Sequence, residues 1–151
     1  MTATLSITQN TRKIFYNFLD SYSLDQLRTI PNGFSNHLIW NINHCIVTQQ
    51  LLVYKLSDLP LLVSDDWVEK YRKGSKPTDV LDENEVILAK ELLFSTVQRT
   101  EEDLKAGVFK NFNAYPTSTG FVINSLEEAM QFNNFHEGIH LGIMMQIKKF
   151  L

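Results

Sequence analysis

The sequence lacks several features that would place it in a class at once. Cys45 is the only cysteine among 151 residues, which excludes an internal disulfide and fits a reducing compartment. No apolar run is long enough to cross a membrane, and the first ten residues have neither the charged start nor the apolar core of a signal peptide. The default expectation is therefore a cytoplasmic protein with a buried, inert thiol.

Charge of one sign is also lacking. The net charge is −3, and acidic and basic residues are mixed along the whole chain. A nucleic-acid-binding protein would carry a basic patch, so no nucleic-acid partner is expected, and no membrane partner either. The chain is 44% hydrophobic, which excludes a disordered protein. Its length suits one domain, predicted to span residues 1–151, with a core of its own.

Helical periodicity is present in four long segments. They cover residues 5–22, residues 36 to about 56, the stretch between Asp82 and Gly107, and the stretch from Ser125 to the C-terminus. The second segment is so apolar that it should be buried on more than one side. No strand pair and no repeat is expected. The sequence therefore predicts an all-α bundle of four helices.

Capping residues predict where these helices begin. Ser35 is a good N-cap for the second helix. Asp82 with Glu85 has the spacing of a capping box for the third helix, and Ser125 with Glu128 has it for the fourth.

Two stretches interrupt the helical pattern. Residues 57–81 contain proline and glycine around a short helix predicted over Asp65 to Arg72. A link this long is unusual in a small bundle unless it crosses from one end to the other. Residues 108–124 are expected to form an ordered loop, because their aromatic side chains need to be covered.

The histidines are the residues that point to chemistry. His136 and His140 are four apart, so they stand one turn apart on one face of the last helix. The other two histidines, His37 and His44, lie about 10 Å apart along the second helix, so only one of them can join the His136–His140 pair. His44 lies deep among apolar neighbours. His37 lies in the first turn near solvent, where it would line the mouth of a site or be a surface residue.

The three histidines have two interpretations. Metal sites in helix bundles are built from inward-facing side chains of neighbouring helices, and a three-histidine site with an open position is typical of catalysis. Zinc, nickel and iron suit imidazole equally. The alternative is that His44 is a core histidine bonded to a carbonyl, while His136 and His140 line a wet cleft.

Glu137 completes a His-Glu-x-x-His pattern, which is the zinc-peptidase signature. No acid and no further histidine follows His140, and no sheet is expected that could hold a peptide, so a peptidase is not expected. Glu137 remains the candidate catalytic base at the rim of the site. The alternatives are a hydrogen-bond acceptor behind the ligands, or a solvated or interface carboxylate.

Four stretches resemble the motifs of the DinB-like superfamily of four-helix bundle proteins. They are Asn36–His44, Gln49–Leu52, Lys73–Pro77 and Phe132–Gly142. The resemblance covers essentially the whole chain. It implies an up-down-down-up bundle with the long link between helices two and three. It also implies a divalent metal on His44, His136 and His140, and a homodimer.

The resemblance also implies candidate functions. Characterised relatives use low-molecular-weight thiols, either to isomerise maleylpyruvate or to add the thiol to an electrophile. We therefore expect a metal-dependent enzyme that activates such a thiol for transfer to a small-molecule electrophile. Arg12, Lys55 and Lys73 are candidates to hold the carboxylates of the thiol. The alternatives are a metal-binding stress-response bundle without catalysis, its metal plugged by Trp40, Phe132 or a loop aromatic, and a metal-dependent hydrolase.

Overall fold

The computed structural model describes residues 2–78 and 82–151, and nearly all regular structure in these ranges is helical. The helices are α1 (Ala3–Ser21), α2 (Leu24–Leu27), α3 (Leu38–Val53), α4 (Asp65–Tyr71), α5 (Glu83–Lys105) and α6 (Leu126–Ile147). Short 3-10 turns, Lys55–Ser57 and Lys148–Phe150, follow α3 and α6. The all-α prediction is confirmed. The last three residues of the predicted long link, 79–81, lie outside the described ranges.

The four long helices contact one another in a closed ring. Helix α1 packs against α5 and α6, and α3 packs against the same two helices. All residues of α3 except Thr48 and Leu51 are buried, which confirms the prediction that this helix is covered on more than one side. The contact between α3 and α6 is the most extensive of these, and it positions the candidate site.

Buried apolar side chains from all four long helices form the main core. Phe15, Ile42, Leu93 and Met144 come from α1, α3, α5 and α6 in turn, and each is fully buried. Burying one such side chain stabilises the fold by about 1.5–3 kcal/mol. In the described part of the chain, no helix has the length and apolar character needed to cross a membrane. The cytoplasmic location stays a prediction.

The N-terminus of α3 differs from the prediction. Ser35 is exposed and does not cap the helix. The N-cap is His37, whose Nδ1 accepts a hydrogen bond from the backbone N–H of Trp40 at 3.0 Å. A turn in which Phe34 N–H donates to the carbonyl of Pro31 precedes the helix, and residues 34–37 that follow it are not helical. His37 is only 4% exposed, so it is a buried cap and not the near-solvent residue that was expected.

The predicted cap of α5 is half correct. Asp82 accepts a hydrogen bond from Glu85 N–H at 2.9 Å, as the capping box requires. The Glu85 side chain does not return to the cap; it binds Lys70 and the Tyr71 hydroxyl, and so ties α5 to α4. Ser125 caps α6 as predicted, with Glu128 N–H donating to its Oγ at 3.2 Å. The Glu128 side chain accepts from Asn124 N–H at 2.7 Å and not from Ser125 N–H, so this capping box is also only half formed.

Residues 108–124 contain an exception to the helical structure. Strands β1 (Tyr115–Pro116) and β2 (Val122–Ile123) pair antiparallel, so the expectation of no strand pair is wrong here. The pair forms because a tight turn joins the strands, with Thr117 N–H donating to the carbonyl of Phe121 and Gly120 at φ +86°. Ile123 is fully buried in a small cluster with Leu52 and Ala129, so the segment is an ordered loop.

The cap of α3 can be tested by paired substitutions. We expect His37→Ala to lower the free energy of unfolding by about 1–2 kcal/mol, because the N–H of Trp40 loses its acceptor. Ser35→Ala should leave stability unchanged, since Ser35 makes no capping bond. Urea unfolding monitored by circular dichroism measures both, and an equal loss in the two variants would contradict the assignment.

Candidate metal centre

Two packed helices bring three histidines together. His44 lies in the middle of α3, and His136 and His140 lie one turn apart on α6. Their ring centroids are 5.1 Å (His44–His136), 4.8 Å (His44–His140) and 4.5 Å (His136–His140) apart. One ring nitrogen of each lies within 4.8 Å of the other two. The spacing leaves room for one ion between the three rings.

Hydrogen bonds orient two of the rings. Nδ1 of His44 lies 2.7 Å from the backbone carbonyl of Tyr71. A carbonyl only accepts, so Nδ1 carries the proton and Nε2 keeps its lone pair. A core histidine bonded to a carbonyl was the alternative to a metal ligand at this position. The bond fits a metal ligand as well, because a histidine that binds a metal through one ring nitrogen commonly donates from the other to a carbonyl. Nδ1 of His140 lies 2.8 Å from Oδ1 of Asn41. Nδ1 of His136 is buried without a hydrogen-bond partner among the described residues.

Burial keeps the three imidazoles neutral at pH 7. Desolvation lowers the pKa of His44 to about 4, helped by the positive charge of Lys73. It lowers the pKa of His140 to about 4 and that of His136 to about 3, and the neighbouring imidazoles act in the same direction. A neutral imidazole is the form that binds a metal ion. The three side chains fit one divalent cation without first losing protons.

A tryptophan and a turn cover one side of the site. The Trp40 ring stacks on His44, with centroids 4.7 Å apart and planes 9° apart. Trp40 Nε1 donates to Ser75 Oγ at 3.1 Å, and Ser75 donates to the carbonyl of Lys70 at 2.8 Å. The turn after α4 is therefore held against His44. Lys73 lies in this turn. It stands between Tyr71, whose carbonyl is bonded to His44, and Ser75, whose hydroxyl is bonded to Trp40.

Glu137 lies in a buried ion pair. Arg12 Nε and Nη2 donate to its Oε1 at 3.0 and 2.7 Å, and Asn133 Nδ2 donates to the same atom at 2.9 Å. Arg12 Nη2 also lies 3.3 Å from the carbonyl of Cys45, so the pair joins α1, α3 and α6. Both charged side chains are fully buried. The structure thus places Glu137 at a helix interface, and its catalytic role stays a prediction.

Cys45 is buried beside this pair, as expected. Its side chain is fully buried, and burial raises the pKa of the thiol well above its usual value, with the charge of Glu137 acting in the same direction. A thiol with a raised pKa is a weak nucleophile, so Cys45 is a packing residue.

Sequence reasoning missed the position of Arg12. The sequence makes Arg12 a candidate to hold a carboxylate of the thiol, but its side chain is occupied by Glu137. A signal was present, since α1 buries residues at spacings of three and four: Leu5, Thr8, Arg12, Phe15 and Leu19. An arginine on such a stripe must find a buried acid, and Glu137 is that acid.

An open groove of about 310 Å³ runs beside the N-terminal half of α6. It is lined by Thr119, Phe121, Glu128, Gln131, Phe132 and Phe135. None of the three clustered histidines lines it. Phe132 lies one helical turn before His136 on the same face, so the groove and the histidines are neighbours along α6.

Fold and site together define a class: helical proteins in which three imidazoles from two packed helices converge on a space for one metal ion. The chain matches the family model of the DinB superfamily over residues 7–144, a range that contains all three histidines. It belongs to the DinB superfamily, as the resemblance of its motifs implied. No curated protein matches the chain.

The buried ion pair makes a stability prediction. We expect Glu137→Ala to lower the free energy of unfolding by about 3–5 kcal/mol, because it leaves the Arg12 charge buried and unpaired. The double variant Arg12→Met/Glu137→Leu should recover much of that loss. Glu91→Gln, on the exposed side of α5, is the control. Urea unfolding that shows a loss below about 1 kcal/mol for Glu137→Ala would contradict the buried pair.

Proposed function

We propose that this protein is a divalent-metal-dependent enzyme in which His44, His136 and His140 hold the ion. The observation that carries the proposal is the convergence of three neutral imidazoles, two of them with Nδ1 bonded outward and a lone pair on Nε2. The Thr48 hydroxyl lies 3.4 Å from Nε2 of His44, so a bound ion would replace this weak contact. Zinc, nickel and iron all suit this set of ligands. Three protein ligands leave a coordination position open, which is the arrangement of catalytic sites.

The reaction that we propose is activation of a low-molecular-weight thiol for transfer to an electrophile. A bound divalent ion lowers the pKa of a thiol that coordinates it, which provides a thiolate at neutral pH. The chain would supply the rest of the binding site. Phe121, Phe132 and Phe135 give the neighbouring groove an apolar lining, suited to the hydrocarbon part of an electrophile.

Lys73 is the best placed of the three cations considered for holding the thiol. Arg12 is buried in its ion pair, whereas Lys73 lies in the turn that bonds to His44 through Tyr71. Its charge reaches His44, since it lowers the pKa of that imidazole. We propose that Lys73 binds a carboxylate of the thiol. Lys55, exposed in the turn after α3, is the comparison residue.

Two alternatives use the same three histidines. In a metal-dependent hydrolase the ion would activate water, and a base would be needed beside it. Glu137, the predicted base, is fully buried and receives three hydrogen bonds on Oε1, so a hydrolase would need another residue as its base. In a metal-binding stress-response bundle without catalysis the ion would bind no substrate.

The larger assembly is part of the same proposal. We propose one domain over residues 1–151, folded as an up-down-down-up four-helix bundle and paired as a homodimer. Phe135, Ile139 and Met145 are apolar and exposed on α6, and they are the candidate dimer interface. Sedimentation velocity on Ile139→Lys beside the wild type would test the pairing.

Metal content is the first test. Protein purified without an affinity tag should contain about one zinc, nickel or iron per chain by elemental mass spectrometry. His44→Ala and His140→Ala should each lose the metal, because two imidazoles are a poor site. His37→Asn keeps a capping side chain and should keep the metal. A wild type that neither contains metal nor takes up zinc, nickel or iron would overturn the proposal.

Thiol binding is tested with cobalt in place of the native ion. A thiolate bound to cobalt gives a charge-transfer band in the near ultraviolet, and thiolate is a soft ligand that such a site accepts. We expect 3-mercaptopropionate to bind more tightly than the neutral 2-mercaptoethanol. Lys73→Ala should remove this preference, and Lys55→Ala should preserve it.

The outcomes separate the alternatives. A cobalt protein that binds neither thiol would contradict thiol activation and leave the hydrolase and the non-catalytic bundle. Equal affinity of the wild type for both thiols would contradict the proposed role of Lys73, but it would not contradict thiol activation.

A further inference from the structure

We propose that Asn41 is a positioning residue that fixes the tautomer of His140 and holds its Nε2 toward the other two histidines. The expected consequence of this positioning is tighter metal binding, and that consequence rests on the proposed metal centre. The tautomer itself is a property of the metal-free protein. Asn41 is fully buried on α3, one turn before Cys45, and its Oδ1 lies 2.8 Å from Nδ1 of His140 on α6.

The orientation of the Asn41 amide follows from its second hydrogen bond. Its Nδ2 donates to the backbone carbonyl of His37 at 2.8 Å. A carbonyl cannot donate, so the nitrogen of the amide must face His37 and the oxygen must face His140. Because Oδ1 only accepts, Nδ1 of His140 carries the proton. Nε2 of His140 then holds a lone pair, which is the state that binds a metal.

Burial makes this arrangement decisive. Asn41 is fully buried, so water does not compete for its Oδ1. If the tautomer were reversed, Nδ1 and Oδ1 would be two acceptors facing each other at hydrogen-bond distance. The amide thus selects one of two tautomers that are close in energy in water.

The same geometry recurs at His44 with a different acceptor. There Nδ1 lies 2.7 Å from the backbone carbonyl of Tyr71, which no side-chain substitution removes. Asn41 is a side chain, so its contribution can be deleted. The chain also offers a matched control in Asn43, which lies on the same helix, is equally buried, and has no partner for either amide atom among the described residues.

The test compares Asn41→Leu, Asn41→Asp and Asn43→Leu. In metal-free wild type, long-range ¹H–¹⁵N NMR should show His140 protonated on Nδ1, and Asn41→Leu should shift it toward the Nε2–H form. Asn41→Asp loses the bond to the His37 carbonyl but keeps an acceptor. It should therefore be less stable in urea and still hold the Nδ1–H tautomer.

Zinc affinity tests the consequence. Competition with a chromophoric chelator should give Asn41→Leu a Kd about 10–100-fold higher than that of the wild type, while Asn43→Leu keeps the wild-type value. The inference is overturned if wild-type His140 is protonated on Nε2, or if Asn41→Leu binds zinc as tightly as Asn43→Leu. A wild type that shows the Nδ1–H tautomer and its loss in Asn41→Leu, yet binds no metal, would support the positioning role and contradict the proposed function.

Discussion

The packing of α3 against α6 is the interaction on which the rest of the structure depends. It brings His44 to His136 and His140, burying His44 and partly burying the other two rings. Desolvation is the largest cause of their lowered pKa values, so the same contact that assembles the rings also keeps them neutral. Geometry and protonation state therefore have one origin. A metal site needs both, because protonated imidazoles would repel each other and the ion.

Polar groups in the middle of this contact reduce stability unless they are paired. Arg12 and Glu137 are fully buried charges, and such a pair gives little net stability compared with apolar side chains of the same volume. The pair contributes by fixing the positions of the helices that it joins. Glu137 follows His136 directly, and its bond to Arg12 holds this turn of α6 against α1 and α3. Local departures from an apolar core are typical of functional sites, and this one lies next to His136 in the chain.

Several features were predictable from the sequence because they depend on residues close together in the chain. The four long helices follow from apolar spacing, and the His136–His140 pair follows from a separation of four residues. Other features depended on tertiary contacts. Ser35 is the better N-cap by propensity, yet the helix begins after His37, whose buried ring takes the capping position. The small strand pair has two residues in each strand, which is too short for sequence periodicity to indicate.

The sequence by itself determined that the chain forms long helices, that one cysteine lies in an apolar run, and that two histidines share a face. These are local facts, set by the helical repeat and by side-chain chemistry. The tertiary structure decided that Arg12 contacts Glu137 and that Asn41 contacts His140. It also decided that the turn after α4 lies against His44. Each of these contacts joins residues on different helices. Which faces meet depends on the packing of the whole core, and no spacing within one helix records it.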